Sequence, residues 1–183
     1  GVQNVEHVAT AADMLKLTMY AMKNEKFRKI VSTDTYTMAK TNKRAQQVKS
    51  NTNRLIVKRY PNRTSDNPYY YEYAIGGKTG YTNEAGRTLV TLGKKDDKTI
   101  IIAVFKAGQV NGQDARYTDA INLFNYSFDN FSRRTFDNKE NYSFDYINYE
   151  TNLKYKLNIK DNLELLLKND ETVTTITYEL ILD

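Results

Sequence analysis

The chain of 183 residues contains no cysteine and no tryptophan, a single histidine and only two prolines. Without cysteine it has no disulfide framework, no thiol nucleophile and no thiolate metal ligand. The single histidine, His7, cannot form a histidine metal cluster or, in this chain alone, a Ser-His-Asp triad. The sequence therefore predicts no metal site and no cofactor. No apolar run approaches the ~18 residues that a membrane-spanning helix needs.

Charge divides the chain into a basic and an acidic part. Up to Arg134 there are 22 Lys+Arg against 12 Asp+Glu, and from Thr135 onward 5 against 10. The stretch from Lys40 to Arg63 has eight basic residues and no acid. Such a stretch can meet nucleic acid, anionic lipid or an acidic wall polymer. A solvated basic face is the commoner role, and we adopt that interpretation.

The middle of the chain predicts an antiparallel hairpin. The aromatic run Tyr69 to Tyr73 leads into Gly76 to Thr82, and Arg87 to Leu92 reads as a strand. A turn at Lys94 to Asp97 precedes a second strand, Thr99 to Phe105, which is apolar almost throughout and is therefore predicted to be central.

The Lys-Thr pair of this region stands between glycines. Glycines let a backbone approach a ligand closely, while the ammonium of Lys78 and the hydroxyl of Thr79 face it from an edge strand. The glycine spacing does not fit a phosphate-binding loop, and no helix follows. The pattern favours the holding of an anion beside a reacting carbonyl.

Two helices are predicted around the hairpin. Thr10 is a candidate N-cap with Asp13 at the capping-box position, for a helix through about Met22. The apolar residues of this helix follow helical spacing and are predicted to pack in the core: Met14, Leu15, Leu17, Met19, Ala21 and Met22. A short second helix follows, around Phe27 to Val31.

A further helix is predicted after Asp114, which can cap it. Its predicted buried side carries Ala120, Leu123, Phe124 and Phe128. Arg116 stands in the first turn, at the unfavourable end of the helix dipole. We therefore expect its side chain to reach away from its own helix, toward an anion.

From Phe136 onward the sequence alternates with strand period over several short segments, as far as Val173, Ile176 and Tyr178. We predict two domains, residues 1–134 and a β-rich domain at 135–183 that is truncated before it closes.

Four segments resemble one enzyme family in order and spacing. They are His7 to Met14, Asn51 to Ile56, Tyr73 to Arg87 and Arg116 to Phe128. Together they are similar to the serine D-alanyl-D-alanine carboxypeptidases, low-molecular-weight penicillin-binding proteins that share the fold of the serine β-lactamases. The resemblance covers roughly residues 1 to 131. It implies an α+β fold, the C-terminal part of a β-lactamase/transpeptidase-like domain with an antiparallel sheet and flanking helices, followed by the small β domain.

The resemblance also implies a site. Lys78, Thr79, Gly80 and Arg116 would bind the terminal carboxylate of a peptidoglycan stem peptide ending in D-Ala-D-Ala. The backbone N–H of Tyr81 would form half of an oxyanion hole. β-Lactams would bind the same place in the complete enzyme, and the parent protein would lie in the bacterial cell envelope, outside the cytoplasm and associated with the membrane.

The family's nucleophile is missing from this chain. No Ser-x-x-Lys occurs, and Ser65-Asp66-Asn67, which spells the family's Ser-x-Asn motif, stands in a polar loop and is interpreted as a turn. We therefore expect this chain to be the C-terminal part of such an enzyme. A companion N-terminal segment, or self-association, is expected to cover the strand Thr99 to Lys106.

Three other functions fit parts of the sequence. A β-lactamase shares the Lys-Thr-Gly motif but usually lacks a trailing β domain. A catalytically inactive wall-binding or scaffolding module would keep the pocket without the nucleophile, and an upstream Ser-x-x-Lys would decide against it. A basic, tyrosine-rich nucleic-acid binder would give no reason for the Lys-Thr-Gly hairpin, so we predict no nucleic-acid partner.

Overall fold

The computed structural model describes residues 6, 8–61, 63–136, 143–148, 153–158 and 162–173. It divides into two compact units, Gly1–Asp129 and Asn130–Asp183. His7, Ile176 and Tyr178 lie outside the described residues. The boundary that we predict at residues 134 and 135 falls inside strand β8 (Phe131–Phe136), all of which belongs to the second unit.

The first helix, α1 (Ala11–Ala21), begins at the predicted cap. The Asp13 N–H donates to the Thr10 hydroxyl at 3.1 Å, and the Thr10 N–H donates to the Asp13 carboxylate at 2.9 Å. This reciprocal pair satisfies two amides that a helix start leaves without partners. The predicted short helix is also confirmed, as α2 (Glu25–Ser32).

The main sheet contains three antiparallel strands in the order β3 (Ala74–Thr82), β4 (Gly86–Lys95) and β5 (Lys98–Ala107). Asp96 and Asp97 form the turn between β4 and β5, as predicted. The prediction that the apolar Thr99–Phe105 strand is central is wrong for the described sheet. There β4 is central, because β5 pairs with β4 alone among the described strands.

The two faces of the sheet are covered differently. Helix α3 (Ala115–Asn130) packs on one face, where the Phe124 ring lies against Gly93 and shares a core with Leu89 and Ile102. On the other face, α1 lies against β5 and α2 against β3. This layering of helices on both sides of an antiparallel sheet is the predicted α+β arrangement.

Three apolar side chains predicted to be buried are exposed. Leu17 and Met19 of α1 point about 200° apart and are 56% and 61% exposed, because the described part of the chain covers neither of them fully. Leu123 of α3 is 44% exposed. It stands one residue away from the buried stripe Ala120, Phe124 and Phe128, and one residue turns a helix by about 100°.

Short elements complete the first unit. β1 (Thr35–Met38) pairs with β2 (Gln47–Ser50), β6 (Gln109–Val110) pairs with β7 (Gln113–Asp114), and a 3-10 turn spans Arg54–Ile56.

In the second unit, β8 pairs antiparallel with β11 (Leu163–Lys168), and β9 (Ser143–Asn148) pairs with β10 (Leu153–Asn158). No helix among the described residues is long and apolar enough to cross a membrane.

Candidate active site

The strand β3 is an outer strand of the described sheet and carries the Lys-Thr-Gly motif. Lys78 lies opposite Val90 on β4, and Thr79 lies opposite Leu89. Facing residues of an antiparallel pair point to the same side of the sheet. Thr79 therefore shares the face of Leu89, under α3, and Lys78 lies on the opposite face.

A cavity of about 900 Å³ lies on the Lys78 face, between the sheet and the two N-terminal helices. Its walls are largely apolar: Met14, Leu17, Phe27, Val31, Val90, Leu92 and Phe105. Lys78, Thr79 and Gly80 line the same cavity from the edge strand. An apolar cleft with a few polar groups at one side is the usual form of a ligand site.

The side chain of Lys78 is exposed, and its ammonium donates to the backbone carbonyl of Thr79 at 2.7 Å. An ammonium has three N–H donors, so this contact leaves two for a ligand. The motif thus presents a cation that is held close to its own strand and contributes little to packing.

The position of β3 is fixed by a buried polar cluster. The Asn53 amide donates to the Gly76 carbonyl at 3.2 Å and to the Thr91 hydroxyl at 3.1 Å, and that hydroxyl donates to the same carbonyl at 2.9 Å. Asn53 and Thr91 are fully buried. Buried polar groups of this kind stabilise only when they are paired, which makes the cluster specific for one placement of the strand.

The strand also bulges just before the motif, between Ala74 and Gly76. Gly77 has φ of +142°, and a Cβ there would lie 2.3 Å from the Val90 carbonyl oxygen. Only glycine allows β3 to approach β4 so closely at this position.

Arg116 lies in the first turn of α3 and forms a two-point ion pair with Asp114. Its Nε and Nη2 donate to the two carboxylate oxygens at 3.1 and 2.8 Å, and the Arg116 N–H donates to the same carboxylate at 3.2 Å. The anion that this arginine meets is thus the cap of its own helix, and only its Nη1 reaches away from the helix, to the Gly80 carbonyl of β3. The helix cap supplies a carboxylate within reach, and that pairing offsets the unfavourable dipole.

The pair shifts the titration of both groups. Burial would raise the pKa of Asp114, but hydrogen bonds and charge from Arg116, with a further contribution from Arg87, lower it overall. Burial would lower the pKa of Arg116, and the bond to Asp114 more than offsets this, so its pKa is raised. Both groups are charged at neutral pH.

The structure brings some predicted residues together and separates others. The Nη1 of Arg116 donates to the Gly80 carbonyl at 3.3 Å, so this arginine lies at the end of the motif, on the face of Thr79. Lys78 lies across the strand from it. Tyr81 continues β3, and its exposed hydroxyl donates to the Asn83 side chain at 3.2 Å.

Ser65-Asp66-Asn67 lies in a loop that bends at Ser65, and the turn itself begins at Asn67, whose carbonyl accepts from the Tyr70 N–H at 3.0 Å. The Asn67 amide donates to the carbonyls of Arg54 and Val57 at 2.6 and 2.8 Å, and Asn67 is buried. Its role in the structure is to fasten the loop to the 3-10 turn.

The sequence interpretation missed two features of the site. Asn53 bonds to Gly76 and to Thr91, which are 23 and 38 residues away from it in the sequence. No local sequence pattern indicates contacts over such separations. The Asp114–Arg116 pair had a local signal, since an acid at the N-cap and an arginine two residues later start the helix together. Asp114 was interpreted as a cap alone.

Comparison with known proteins decides the family. A family model described as D-alanyl-D-alanine carboxypeptidase matches residues 1–109, more than half of the chain. The chain belongs to this family. The predicted resemblance is thereby confirmed.

Relatives of the D-alanyl-D-alanine carboxypeptidase family agree with this assignment. A D-alanyl-D-alanine carboxypeptidase of Streptomyces sp. strain K15 is 32% identical over 132 residues, 70% of this chain and 40% of the relative. A mutant of the Streptomyces K15 DD-transpeptidase is structurally similar, with a TM-score of 0.57 and 31% identity over 70% of this chain and 45% of that one. A D-alanyl-D-alanine carboxypeptidase from Mycobacterium tuberculosis has a TM-score of 0.52 and 29% identity, over 66% and 40%.

These structures confirm the expected β-lactamase/transpeptidase-like fold for the matched part. The chain spans less than half the length of the relatives that it matches.

Proposed function

We propose that this chain is the C-terminal portion of a serine-type D-Ala-D-Ala carboxypeptidase that acts on peptidoglycan stem peptides in the bacterial cell envelope, outside the cytoplasm. The observation that carries the proposal is the Lys78-Thr79-Gly80 motif on an outer strand, beside an apolar cavity, in a chain of this family.

The proposed reaction passes through an acyl-enzyme. A serine hydroxyl from a segment outside this chain attacks the carbonyl carbon of the penultimate D-alanine. The peptide C–N bond breaks, and the terminal D-alanine leaves with the proton. Water then hydrolyses the ester and restores the serine.

The residues of this chain bind and orient the substrate. The terminal carboxylate would lie along the free edge of β3, which side chains from both faces of this outer strand can reach. There the cations of Lys78 and Arg116 and the hydroxyl of Thr79 would hold it through charge-assisted hydrogen bonds, with Gly80 allowing close approach. The Tyr81 N–H would donate to the oxygen that becomes negative during attack. The placement of Arg116 beside Gly80 supports the carboxylate role, since both lie where β3 leads into Tyr81.

One observation favours a second candidate. The apolar cavity beside Lys78 would also serve a catalytically inactive wall-binding or scaffolding module with this fold. A Ser-x-x-Lys segment encoded upstream would decide for the enzyme, and its absence there would decide for the module.

Labelling with penicillin tests whether the nucleophile lies outside this chain while the substrate-binding residues lie within it. We expect this chain alone to form no covalent adduct with a fluorescent penicillin, because it holds no nucleophile of the Ser-x-x-Lys type, whereas the complete enzyme should be labelled. A denaturing gel after incubation separates the outcomes. A labelled band at 21.2 kDa would mean that this chain carries its own nucleophile, and an unlabelled complete enzyme would contradict the proposed function.

We also propose that the outer side of β5 is covered in the complete enzyme by a strand from a companion N-terminal segment. Among the described residues this side has no paired strand, and Phe105, which lines the cavity together with the exposed Leu17 of α1, is itself 37% exposed. An apolar, unpaired strand edge is a site of strand addition or aggregation.

Hydrogen exchange tests this covering. We expect the outward-facing amides of residues 100 to 105 to be protected in the complete enzyme. The chain on its own should self-associate through this strand, which light scattering would show as a mass above that of one copy. A monodisperse single copy whose amides in this segment exchange freely would contradict the proposal.

A further inference from the structure

We propose that Arg87 is a specificity-determining residue, the second guanidinium that binds the terminal carboxylate of the substrate, beside Arg116. The inference rests on the proposed function, because it names a further residue for the same carboxylate. Three observations carry it: the position of Arg87 in the sheet, the hydrogen bonds that each arginine already makes, and the balance of charge around Asp114.

The first observation is the register of β3 and β4. Arg87 lies opposite Tyr81, two residues beyond the position opposite Thr79. Residues two apart on a strand share a face, and diagonal neighbours across a strand pair are about 7–8 Å apart, within the reach of an arginine. Arg87 therefore lies on the same face as Thr79 and Arg116, at the end of the strand where Tyr81 would form the oxyanion hole.

The second observation is how the two guanidinium groups are bonded. Arg116 uses Nε and Nη2 on Asp114 and Nη1 on the Gly80 carbonyl, and its side chain is only 13% exposed. Arg87 approaches Asp114 at 3.8 Å, beyond hydrogen-bond distance, and its side chain is 31% exposed. Within the described residues no hydrogen bond holds the Arg87 guanidinium. It can therefore turn to a ligand without breaking one.

The third observation is charge. Among the described residues, Asp114 is the one carboxylate within ion-pair distance of either arginine. Two guanidinium groups share one carboxylate, so one positive charge remains uncompensated where both side chains are at least two-thirds buried. An incoming carboxylate would restore the balance, and the planar guanidinium is suited to bind it at two points.

Asp114 acts here as a positioning residue. It fixes Arg116 through both carboxylate oxygens, and it draws Arg87 toward the same place without bonding it closely. Arg116 thus forms the rigid side of the proposed carboxylate site and Arg87 the adjustable side.

The test uses the complete enzyme and two synthetic peptides that differ only at the last residue, D-alanine in one and D-alaninamide in the other. We expect Arg87→Gln to lower kcat/KM for the carboxylate peptide roughly 10- to 150-fold, the range for losing one charge-assisted contact. The effect should be mainly on KM, with the amide peptide changed less than about twofold. Arg87→Lys, which keeps the charge, should recover part of the loss.

The matched control is Arg59→Gln. Arg59 is also in the first unit and also paired with one aspartate, Asp66, but its side chain is 57% exposed and it lies outside the three-stranded sheet that carries Thr79 and Arg87. This variant should behave as wild type with both peptides.

Both peptides are also tested as competitors of penicillin labelling, so that a peptide cleaved slowly still yields a binding constant.

The outcomes are distinguishable. Equal losses on the two peptides would assign Arg87 a structural role, and no loss on either would remove it from the site; each result overturns this inference while the proposed function stands. A wild-type enzyme that cleaves neither peptide and takes no penicillin label would overturn the proposed function, and the inference would fall with it.

Discussion

Replacing Lys78 by alanine in the complete enzyme is expected to lower the rate of acylation by a D-Ala-D-Ala peptide roughly 10- to 150-fold. The reason is the loss of a charge-assisted contact to the substrate, worth about 1.5–3 kcal/mol. Stability should change by less than about 0.5 kcal/mol, because the side chain is exposed and its hydrogen bond is to the neighbouring Thr79 carbonyl. Stopped-flow acylation and urea denaturation of the same preparations measure both quantities.

Lys94→Ala is the matched control for this experiment. Lys94 is an exposed lysine of the same sheet, on β4, and does not line the cavity. The two variants remove the same charge, so a general electrostatic effect on an anionic substrate would appear in both. Equal acylation rates in Lys78→Ala and wild type would show that the carboxylate role of Lys78 is wrong.

Local patterns predicted the local parts of the fold. The α1 cap depends on Thr10 and Asp13, three residues apart, and the β4–β5 turn depends on two adjacent aspartates. In both cases the interacting groups are neighbours in the sequence, so the chemistry is visible there. The Lys-Thr-Gly strand was predicted for the same reason, from its glycines and the strand that follows.

Burial was harder to predict, because it depends on what covers an element. The helical spacing of the apolar residues in α1 suits Leu17 and Met19 to a core, and yet both are exposed. A periodic pattern shows which residues are suited to a core but not whether this chain supplies the opposite surface. Strand β5 shows the same limit, since its apolar sequence fits a central strand and its outer side is unpaired among the described residues.

The charged part of the site was predicted in its residues but not in its geometry. The sequence identifies Arg116 as a site residue, but it indicates Asp114 only as a helix cap and Arg87 only as the last residue of the segment that begins at Tyr73. Successive side chains of β3 point to opposite faces of the sheet, so Lys78 and Arg116 lie on different faces. Predicting this separation requires the β3–β4 register as well as the sequence. Side-chain direction in a strand follows from pairing, and pairing is a long-range property.

Gly77→Ala is expected to lower stability far more than Lys78→Ala or either of the arginine substitutions. A Cβ at this position would lie 2.3 Å from the Val90 carbonyl oxygen, 2.8 Å from the Thr91 Cα and 3.0 Å from the Asn53 amide nitrogen. Two of these three atoms are backbone, and the third belongs to the buried polar cluster, so no flexible side chain can move aside. The φ of +142° is itself rarely adopted by alanine.

Strain of this kind and overpacking each cost about 1–3 kcal/mol. We therefore expect Gly77→Ala to lower the free energy of unfolding by roughly 2–6 kcal/mol. Relief of the clash would push β3 away from β4 and loosen the Gly76 carbonyl from Asn53 and Thr91. Since Lys78 is the next residue, the same variant should also lose penicillin acylation in the complete enzyme.

Gly108→Ala is the control, because a Cβ there meets nothing within 4 Å and its φ is not in the left-handed region. Its free energy of unfolding should stay within about 0.5 kcal/mol of wild type. Urea denaturation of the two variants in parallel gives the comparison, with the slope of each transition checked against wild type. If both variants unfold at the wild-type midpoint, β3 can shift at no cost, and close approach at Gly77 is not what places the Lys-Thr-Gly motif at the edge of the cavity.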